Sequence, residues 1–412
     1  MRVIEREVTV LTQDDTLRDR PTQDFIAQLT RQYPVEREIE KSLARKMERR
    51  NQGQFSRPSL ETLSGYLSNF LADKLDGTFE VSHVRWLNGG ASKLQVAFDL
   101  AWTEGAGKPR KEALVLRMEP AEALNSNSRL REYELLQAFK GVVPVPDVYF
   151  LDEHGDWFPE PALIYSFANG VTKPPATHSG KIAGMGTDFG PELRAQLAPQ
   201  FLGYLAKIHT FDHTQYDFKS MDAPRVDSTE SAVLQLNRAH RVWEEDAGDS
   251  APLMAVAANW LERNLPKLDK VSVVHGDYRS GNFLYDPVSF QFTAWLDWER
   301  GYLGDRHRDL AWTTQRMFGH LDTDGKTYMV CGLVPMNTFY REYEAVSGLS
   351  VNEDTLHYYR VLNAYQLVAT LLATSYRVTR LGRSHQDVLL ARLRAMVPSN
   401  LNTLATLLKE RL

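Results

Sequence analysis

The stretch VSVVHGDYRSGNFLY, residues 271 to 285, constrains the fold of this chain more than any other segment. The apolar VSVV predicts a buried strand that ends at His275, and the two glycines after it predict a tight loop. Asp277 and Asn282 lie on that loop, five residues apart. The following FLY, DPVS and FQFTAWLD predict a hairpin, and Asp297 closes its second strand.

A hairpin of this kind can bring Asp297 beside Asn282. One carboxylate and one amide oxygen suit Mg²⁺, which takes few protein ligands and completes its shell with water and phosphate. Asp277 is then free to accept or orient a proton. Phosphoryl transfer needs this arrangement, because the protein mainly positions the reactants and neutralises charge. HGD alone also fits a turn capped by an aspartate, but the amide and the second acid favour a catalytic loop.

The composition excludes several other classes of protein. The chain has 412 residues, 43% of them hydrophobic, which is enough for two or three lobes. It lacks an apolar run long enough for a membrane span, and its charged first residues do not resemble a signal peptide, so we expect a cytoplasmic protein that does not bind membranes. A net charge of −5 argues against a nucleic-acid partner. The single cysteine, Cys331, fits a reducing compartment and a buried structural role.

Hydrophobic patterning divides the chain into three expected units. Residues 1–57 form a charged helical extension whose stripe of Val35, Ile39, Leu43 and Met47 predicts docking on the main body or on a second subunit, the latter giving a homodimer. Residues 58–168 predict a small lobe built on an antiparallel sheet, and residues 169–412 predict a larger, mainly helical lobe. The expected fold class is therefore α+β.

Eight segments in sequence resemble the aminoglycoside phosphotransferase and choline kinase branch of the protein-kinase-like superfamily. They extend from about residue 60 to about residue 395 and include LNGGASKL, VLRMEP, REYELLQAF, VPVPDVYF, LAKIHTFD, HGDYRSGN, WLDWE and GDRHRDLAW. The spacing of Asp277 and Asn282 equals that of the kinase catalytic loop, and DWE stands where kinases have the metal-binding DFG. Within the branch, the chain is most similar to phosphotransferases that resemble the kinase-like domain of acyl-CoA dehydrogenase family proteins.

The resemblance implies a two-lobed kinase-like fold, ATP and Mg²⁺ as cofactors, and a small-molecule hydroxyl acceptor. It implies that Asp277 is the catalytic base or orients the substrate hydroxyl, and that Asn282 and Asp297 bind the metal, with Glu299 as a further metal or water ligand. The loop over the ATP phosphates would consist of Asn88, Gly89, Gly90, Ala91 and Ser92.

Further roles follow from the same resemblance. Arg117 stands where kinases have a strand lysine, and Glu132 is its expected ion-pair partner. His275 and Asp309 are expected to brace the catalytic loop, and His209 to pack against it. The chain departs from protein kinases in lacking a G-x-G-x-x-G loop and in having HGD in place of HRD. GDRHRD also lacks the proline that is common after GD in this branch.

The sequence leaves the acceptor open between three hypotheses. Between Arg360 and the C-terminus there are eight basic and two acidic residues, which favours an anionic hydroxyl substrate such as a hydroxyacyl-CoA, although a solvated helix face explains the same charges. An aminoglycoside or choline-type kinase should have an acidic acceptor pocket, and no dense acidic cluster occurs in the C-terminal half. The third hypothesis is a nucleotide-binding pseudokinase that acts as a scaffold.

Overall fold

The N-terminal extension includes the helices α1 (Gln23–Gln32) and α2 (Arg37–Arg49). The computed structural model describes residues 17–51, 58–87, 93–104, 107–119, 125–174, 184–248, 251–380, 390 and 393–411. The stripe on α2 is buried within this chain, since Ile39, Leu43 and Met47 are at most 1% exposed. Met47 packs against Ile26 and Leu29 of α1, and polar contacts join the extension to the rest of the chain. A homodimer through this stripe is not supported, because the same chain already covers it.

The extension contacts both lobes through charged and polar side chains. Ser42 donates to the carbonyl oxygen of Asn127 at 2.8 Å in the small lobe. Towards the large lobe, Lys46 and Arg50 donate to the carboxylate of Asp246 at 3.2 Å and 2.6 Å. Helix α2 thus ties the two lobes together.

The small lobe contains a five-stranded sheet and two helices. After α3 (Leu60–Lys74), whose first turn is capped by Ser59, come β1 (Phe79–Trp86), β2 (Leu94–Glu104), β3 (Lys108–Met118), α4 (Arg129–Phe139), β4 (Val148–Asp152) and β5 (Ala162–Ser166). The strand order is β1-β2-β3-β5-β4, and all four pairings are antiparallel. Alternating side chains of β2 and β3 pack against α3 to form the core of this lobe.

The large lobe is mainly helical. Its elements are α5 (Gly190–Thr210), α6 (Glu230–Asp246), α7 (Pro252–Arg263), β6 (Ser272–Val274), β7 (Phe283–Tyr285), β8 (Phe292–Trp295), β9 (Tyr302–Gly304), α8 (His307–Thr313), β10 (His320–Leu321), β11 (Tyr328–Val330), β12 (Val334–Pro335), α9 (Met336–Ser347), α10 (Glu353–Val368), α11 (Ser375–Arg380) and α12 (Val397–Lys409). A π-helical turn, Ala369–Thr374, joins α10 to α11. Strand β6 pairs with β9, and β7 pairs with β8 as the expected hairpin.

None of the described helices has the length and apolarity that a membrane crossing requires.

Candidate active site

The loop between β6 and β7 is held in place by one buried carboxylate. Asp309, on α8, accepts hydrogen bonds from the backbone N–H groups of His275 at 2.6 Å and Gly276 at 2.8 Å. His209 lies 3.3 Å from the same carboxylate and 2.8 Å from the hydroxyl of Tyr343. Burial opposes ionisation of Asp309, but these donors keep its pKa below the ordinary value. The expected bracing by Asp309 and packing of His209 are both present.

His275 orients the loop through both ring nitrogens. Its Nδ1 accepts from the backbone N–H of Asp277 at 3.2 Å, and its Nε2 donates to the carbonyl oxygen of Leu296 at 3.1 Å. Both bonds fit a neutral ring, and burial lowers the pKa of His275. This histidine therefore joins the catalytic loop to the end of the hairpin.

Gly276 explains the departure from the HRD of protein kinases. Its φ is 80°, in the left-handed region, and an added Cβ would lie 2.7 Å from the carbonyl oxygen of Arg300. A larger residue at this position would need a different backbone, so the loop requires glycine here.

Three donors fix the carboxylate of Asp277. Its Oδ1 accepts from the indole N–H of Trp312 at 2.6 Å and from Nε of Arg279 at 3.0 Å. Its Oδ2 accepts from the amide of Asn282 at 2.8 Å. Arg279 and Trp312 were not among the residues expected from the sequence. A carboxylate held from three sides is suited to orienting a substrate hydroxyl.

Asp297 lies where the hairpin meets the small lobe. Its backbone has a φ of 63°, which is uncommon outside glycine and is often found at functional sites. The N–H of the preceding Leu296 donates to the carbonyl oxygen of Asn282 at 2.8 Å, so the hairpin holds the Asp297 segment against the catalytic loop. Burial opposes a low pKa for Asp297, but the adjacent Arg117 lowers it below the ordinary value.

Asn282 and Asp297 offer oxygen atoms of the kind that Mg²⁺ prefers. Because the amide nitrogen of Asn282 donates to Asp277, its Oδ1 is directed elsewhere, and no described residue donates to it. Asp297 uses Oδ1 for Arg117, and its side chain is 35% exposed. One amide oxygen and one partly solvated carboxylate fit the donor set of a magnesium site.

Arg117 sits at the centre of a buried ion-pair cluster. Its guanidinium lies 3.4 Å from Glu132 on α4, which is the ion pair expected from the sequence, and 2.7 Å from Asp297. It also contacts Glu299, whose other oxygen contacts Lys93. Burial would lower the pKa of Arg117, but Glu132 and Asp297 raise it above the ordinary value. Since both oxygens of Glu299 contact cations, its role as a metal or water ligand stays a prediction.

Lys93 is a second cation that sequence reasoning missed. It precedes β2 and is 6% exposed, with its Nζ on Glu299 and 3.9 Å from Asp297. The residues expected to cover the ATP phosphates, Asn88 to Ser92, immediately precede it but lie outside the described residues. The lysine of LNGGASKL was the available signal, because it follows a glycine-containing loop and opens an alternating strand.

The Gly184–Gly186 segment also contacts the catalytic loop. Gly184 has a φ of 76°, and an added Cβ would lie 1.7 Å from the carbonyl oxygen of Ser280. Local sequence patterns could not predict this contact, because the two segments are almost a hundred residues apart. Cys331 lies close by, and burial raises the pKa of its thiol to about 12, which fits the expected structural role.

Comparison with known families identifies the fold and the class of chemistry. Residues 85–326 match the model of the phosphotransferase enzyme family. The chain belongs to this family. The expectation of an enzyme that transfers a phosphoryl group is thereby confirmed, as is the resemblance to the aminoglycoside phosphotransferase branch.

Curated relatives include two acyl-CoA dehydrogenase family proteins, as the resemblance implied. Member 10 of Mus musculus is 26% identical over 207 residues, which are 48% of this chain and 18% of that protein. Member 11 of Gallus gallus is 35% identical over 115 residues, 28% of this chain and 14% of that protein. This chain therefore matches only a small part of each relative. A probable ketoamine kinase of Lactiplantibacillus plantarum is 27% identical over 184 residues, 40% of this chain and 57% of that protein.

Solved structures confirm the two-lobed kinase-like fold. A Ralstonia eutropha protein with the provisional name aminoglycoside phosphotransferase superposes with a TM-score of 0.58 at 20% identity, covering 83% of this chain and 98% of that one. Plasmodium vivax ethanolamine kinase superposes with a TM-score of 0.51 at 11% identity, covering 89% and 94%. At these identities the likeness extends to the fold alone.

Proposed function

We propose that this phosphotransferase is a kinase that moves the γ-phosphoryl group of ATP to a hydroxyl of an anionic small molecule. The observation that carries the proposal is the juxtaposition of Asp277, Asn282 and Asp297 on one loop and its hairpin, with Arg117 and Lys93 on the side of the small lobe. Hydroxyacyl-CoA thioesters are the first acceptors to test, because the curated relatives are acyl-CoA dehydrogenase family proteins.

Each residue has a distinct role in the proposed reaction. Asp277, fixed by three donors, would orient the acceptor hydroxyl and accept its proton late in the transfer. Arg117 and Lys93 would bind phosphate oxygens, since both point toward the carboxylates at the lobe interface. Asn282 and Asp297 would hold Mg²⁺, which supplies charge neutralisation at the phosphates when bound.

The charges around Asp277 favour an anionic acceptor over a cationic one. Arg279 donates to Asp277 directly, and the guanidinium of Arg300 stacks on the ring of Trp312 at 4.6 Å. A site for aminoglycosides or choline would need acidic side chains here, whereas these neighbours are basic. A kinase for cationic substrates is therefore the second candidate, after a kinase for anionic hydroxyl substrates.

An acceptor panel tests the proposal. Purified protein with Mg·ATP would be incubated with hydroxyacyl-CoA thioesters, hydroxy acids, aminoglycosides and choline, and phosphorylated products would be identified by mass spectrometry. We expect products from anionic acceptors that disappear in the Asp277→Asn variant. Products from aminoglycosides or choline alone would favour the cationic alternative, and no product from any acceptor would favour a pseudokinase scaffold.

A further inference from the structure

Three arginines of the large lobe, Arg300, Arg308 and Arg238, form no ion pair with a carboxylate among the described residues. The first is Arg300, whose guanidinium is 4.6 Å from the ring of Trp312, while the indole N–H of Trp312 donates to Asp277. Only the width of one indole ring therefore separates this cation from the proposed catalytic carboxylate. Its one described side-chain contact is with the aromatic face.

The other two arginines are held by neutral oxygen atoms. Arg308, on α8, is 3% exposed and donates to the amide oxygens of Gln235, at 3.2 Å, and Gln366. Arg238, on α6, is 6% exposed and donates to the carbonyl oxygen of Ser126 at 2.8 Å. Asn127 gives Arg238 a second neutral acceptor at 3.2 Å. These bonds fix the guanidinium groups without neutralising them.

The positive charges act on one another. Burial and the charges of Arg300, Arg131 and Arg308 together lower the pKa of Arg238 to about 10, against the opposing charge of Glu36. Burial and the charges of Arg308 and Arg279 lower the pKa of Arg300, against the opposing charges of Asp277 and Asp309. A guanidinium stays protonated at neutral pH, and a buried charge without a counterion is costly. A cluster of this kind is stabilised when an anion binds to it.

We propose that Arg300, Arg308 and Arg238 form an anion subsite that binds a carboxylate or phosphate group of the acceptor next to the hydroxyl oriented by Asp277. The inference rests on the proposed function and narrows its substrate class. It favours compact hydroxy acids or hydroxyalkyl phosphates, in which the anion and the hydroxyl are a few bonds apart. In a hydroxyacyl-CoA the acyl carboxylate is masked as a neutral thioester, and the phosphates are at the far end of the coenzyme.

Matched acceptors test this subsite by turnover. 4-Hydroxybutyrate would be compared with its methyl ester and its CoA thioester, and glycerol 3-phosphate with glycerol, each with Mg·ATP. We expect kcat/KM to fall by about tenfold or more when the charge is removed, as for loss of one charged hydrogen bond. A preference for the free acid identifies a carboxylate subsite, and a preference for glycerol 3-phosphate a phosphate subsite. Equal rates for charged and neutral members, or a preference for the thioester, overturn the inference while leaving the proposed kinase activity intact.

A binding experiment judges the subsite without turnover. With the nucleotide site saturated by Mg·AMP-PNP, inorganic phosphate and acetate would be titrated by calorimetry into the wild type and into Arg300→Gln and Arg308→Gln variants. Arg316→Gln is the matched control, because Arg316 is exposed on the segment after α8. We expect about tenfold weaker anion binding in the first two variants only, with unchanged affinity for AMP-PNP.

The variants also distinguish failure of the anion subsite from failure of the proposed kinase activity. Arg300 is partly exposed, so its variant keeps the test valid if Arg308→Gln does not fold. An Arg300→Lys variant should recover part of the anion affinity, because the charge returns without the planar fork. Anion affinity that is equal in the wild type, Arg300→Gln and Arg316→Gln overturns the subsite. Weakened anion binding together with no turnover of any acceptor supports the subsite but contradicts the kinase proposal.

Discussion

Replacing Arg117 with methionine should destabilise the protein far more than a surface change on the same strand. Arg117 is 2% exposed and lies 2.7 Å from Asp297 and 3.4 Å from Glu132, with Glu299 as a third carboxylate partner. Without Arg117, the carboxylates of Glu132, Asp297 and Glu299 would keep only Lys93 and Arg129 as ion-pair partners among the described residues. Removing one partner of a buried ion pair typically costs about 3–5 kcal/mol.

Urea unfolding followed by tryptophan fluorescence would measure this loss. Lys111→Met is the control, because Lys111 is also on β3 but its side chain is 65% exposed and 4.0 Å from Asp99; an exposed pair contributes about 0–1 kcal/mol. In the folded Arg117→Met variant the unpaired carboxylates would take up protons more readily, which relieves their repulsion at low pH. The loss in free energy of unfolding relative to the wild type should therefore be larger at pH 8 than at pH 5. Adding Glu299→Gln should restore part of the stability. A free energy of unfolding for Arg117→Met within about 1 kcal/mol of Lys111→Met at pH 8 would refute the reasoning.

Four other substitutions have defined outcomes. Gly184→Ala should lower stability by about 1–3 kcal/mol or more through its clash with Ser280, whereas Gly203→Ala, in open space on helix α5, should raise it by about 0.5–1 kcal/mol in thermal unfolding. Asp246→Asn should cost about 3–5 kcal/mol at pH 7. Burial raises the pKa of Asp246, but nearby cations hold it well below its usual range. The difference in free energy of unfolding between wild type and Asp246→Asn should therefore shrink on strong acidification. Burial lowers the pKa of His240 to about 4 in the folded protein. Between pH 6.5 and 4 the unfolded chain therefore binds more protons at this histidine than the folded protein does. The free energy of unfolding should fall as the pH drops through this range, and it should fall less steeply in His240→Gln.

Local sequence patterns predicted the features of this protein that depend on residues close together in the sequence. The hairpin that carries Asp297 followed from two short strands around DPVS. The pair between Arg117 and Glu132 followed from family resemblance, because no local pattern connects a strand residue to a helix residue fifteen positions later.

The remaining features depend on contacts between distant segments. The indole N–H of Trp312 reaches Asp277 only because α8 packs behind the loop, and a tryptophan in a helical pattern signals core packing in any case. Asp246 binds Lys46 and Arg377, which are 331 residues apart in sequence, so neither spacing nor periodicity could indicate the network. The alignment of neutral partners around Arg308 likewise requires α6, α8 and α10 to be packed together.

The phosphoryl-transfer rate of Asp277→Asn, measured together with its affinity for Mg·ATP, tests the central claim most directly. The substitution keeps the shape of the side chain but removes the charge that Trp312, Arg279 and Asn282 hold in position. We predict that kcat for an accepted substrate falls by about 10²–10⁴-fold while the Kd for Mg·ATP is unchanged. A variant that transfers phosphate at the wild-type rate would contradict the assignment of this loop as the catalytic centre.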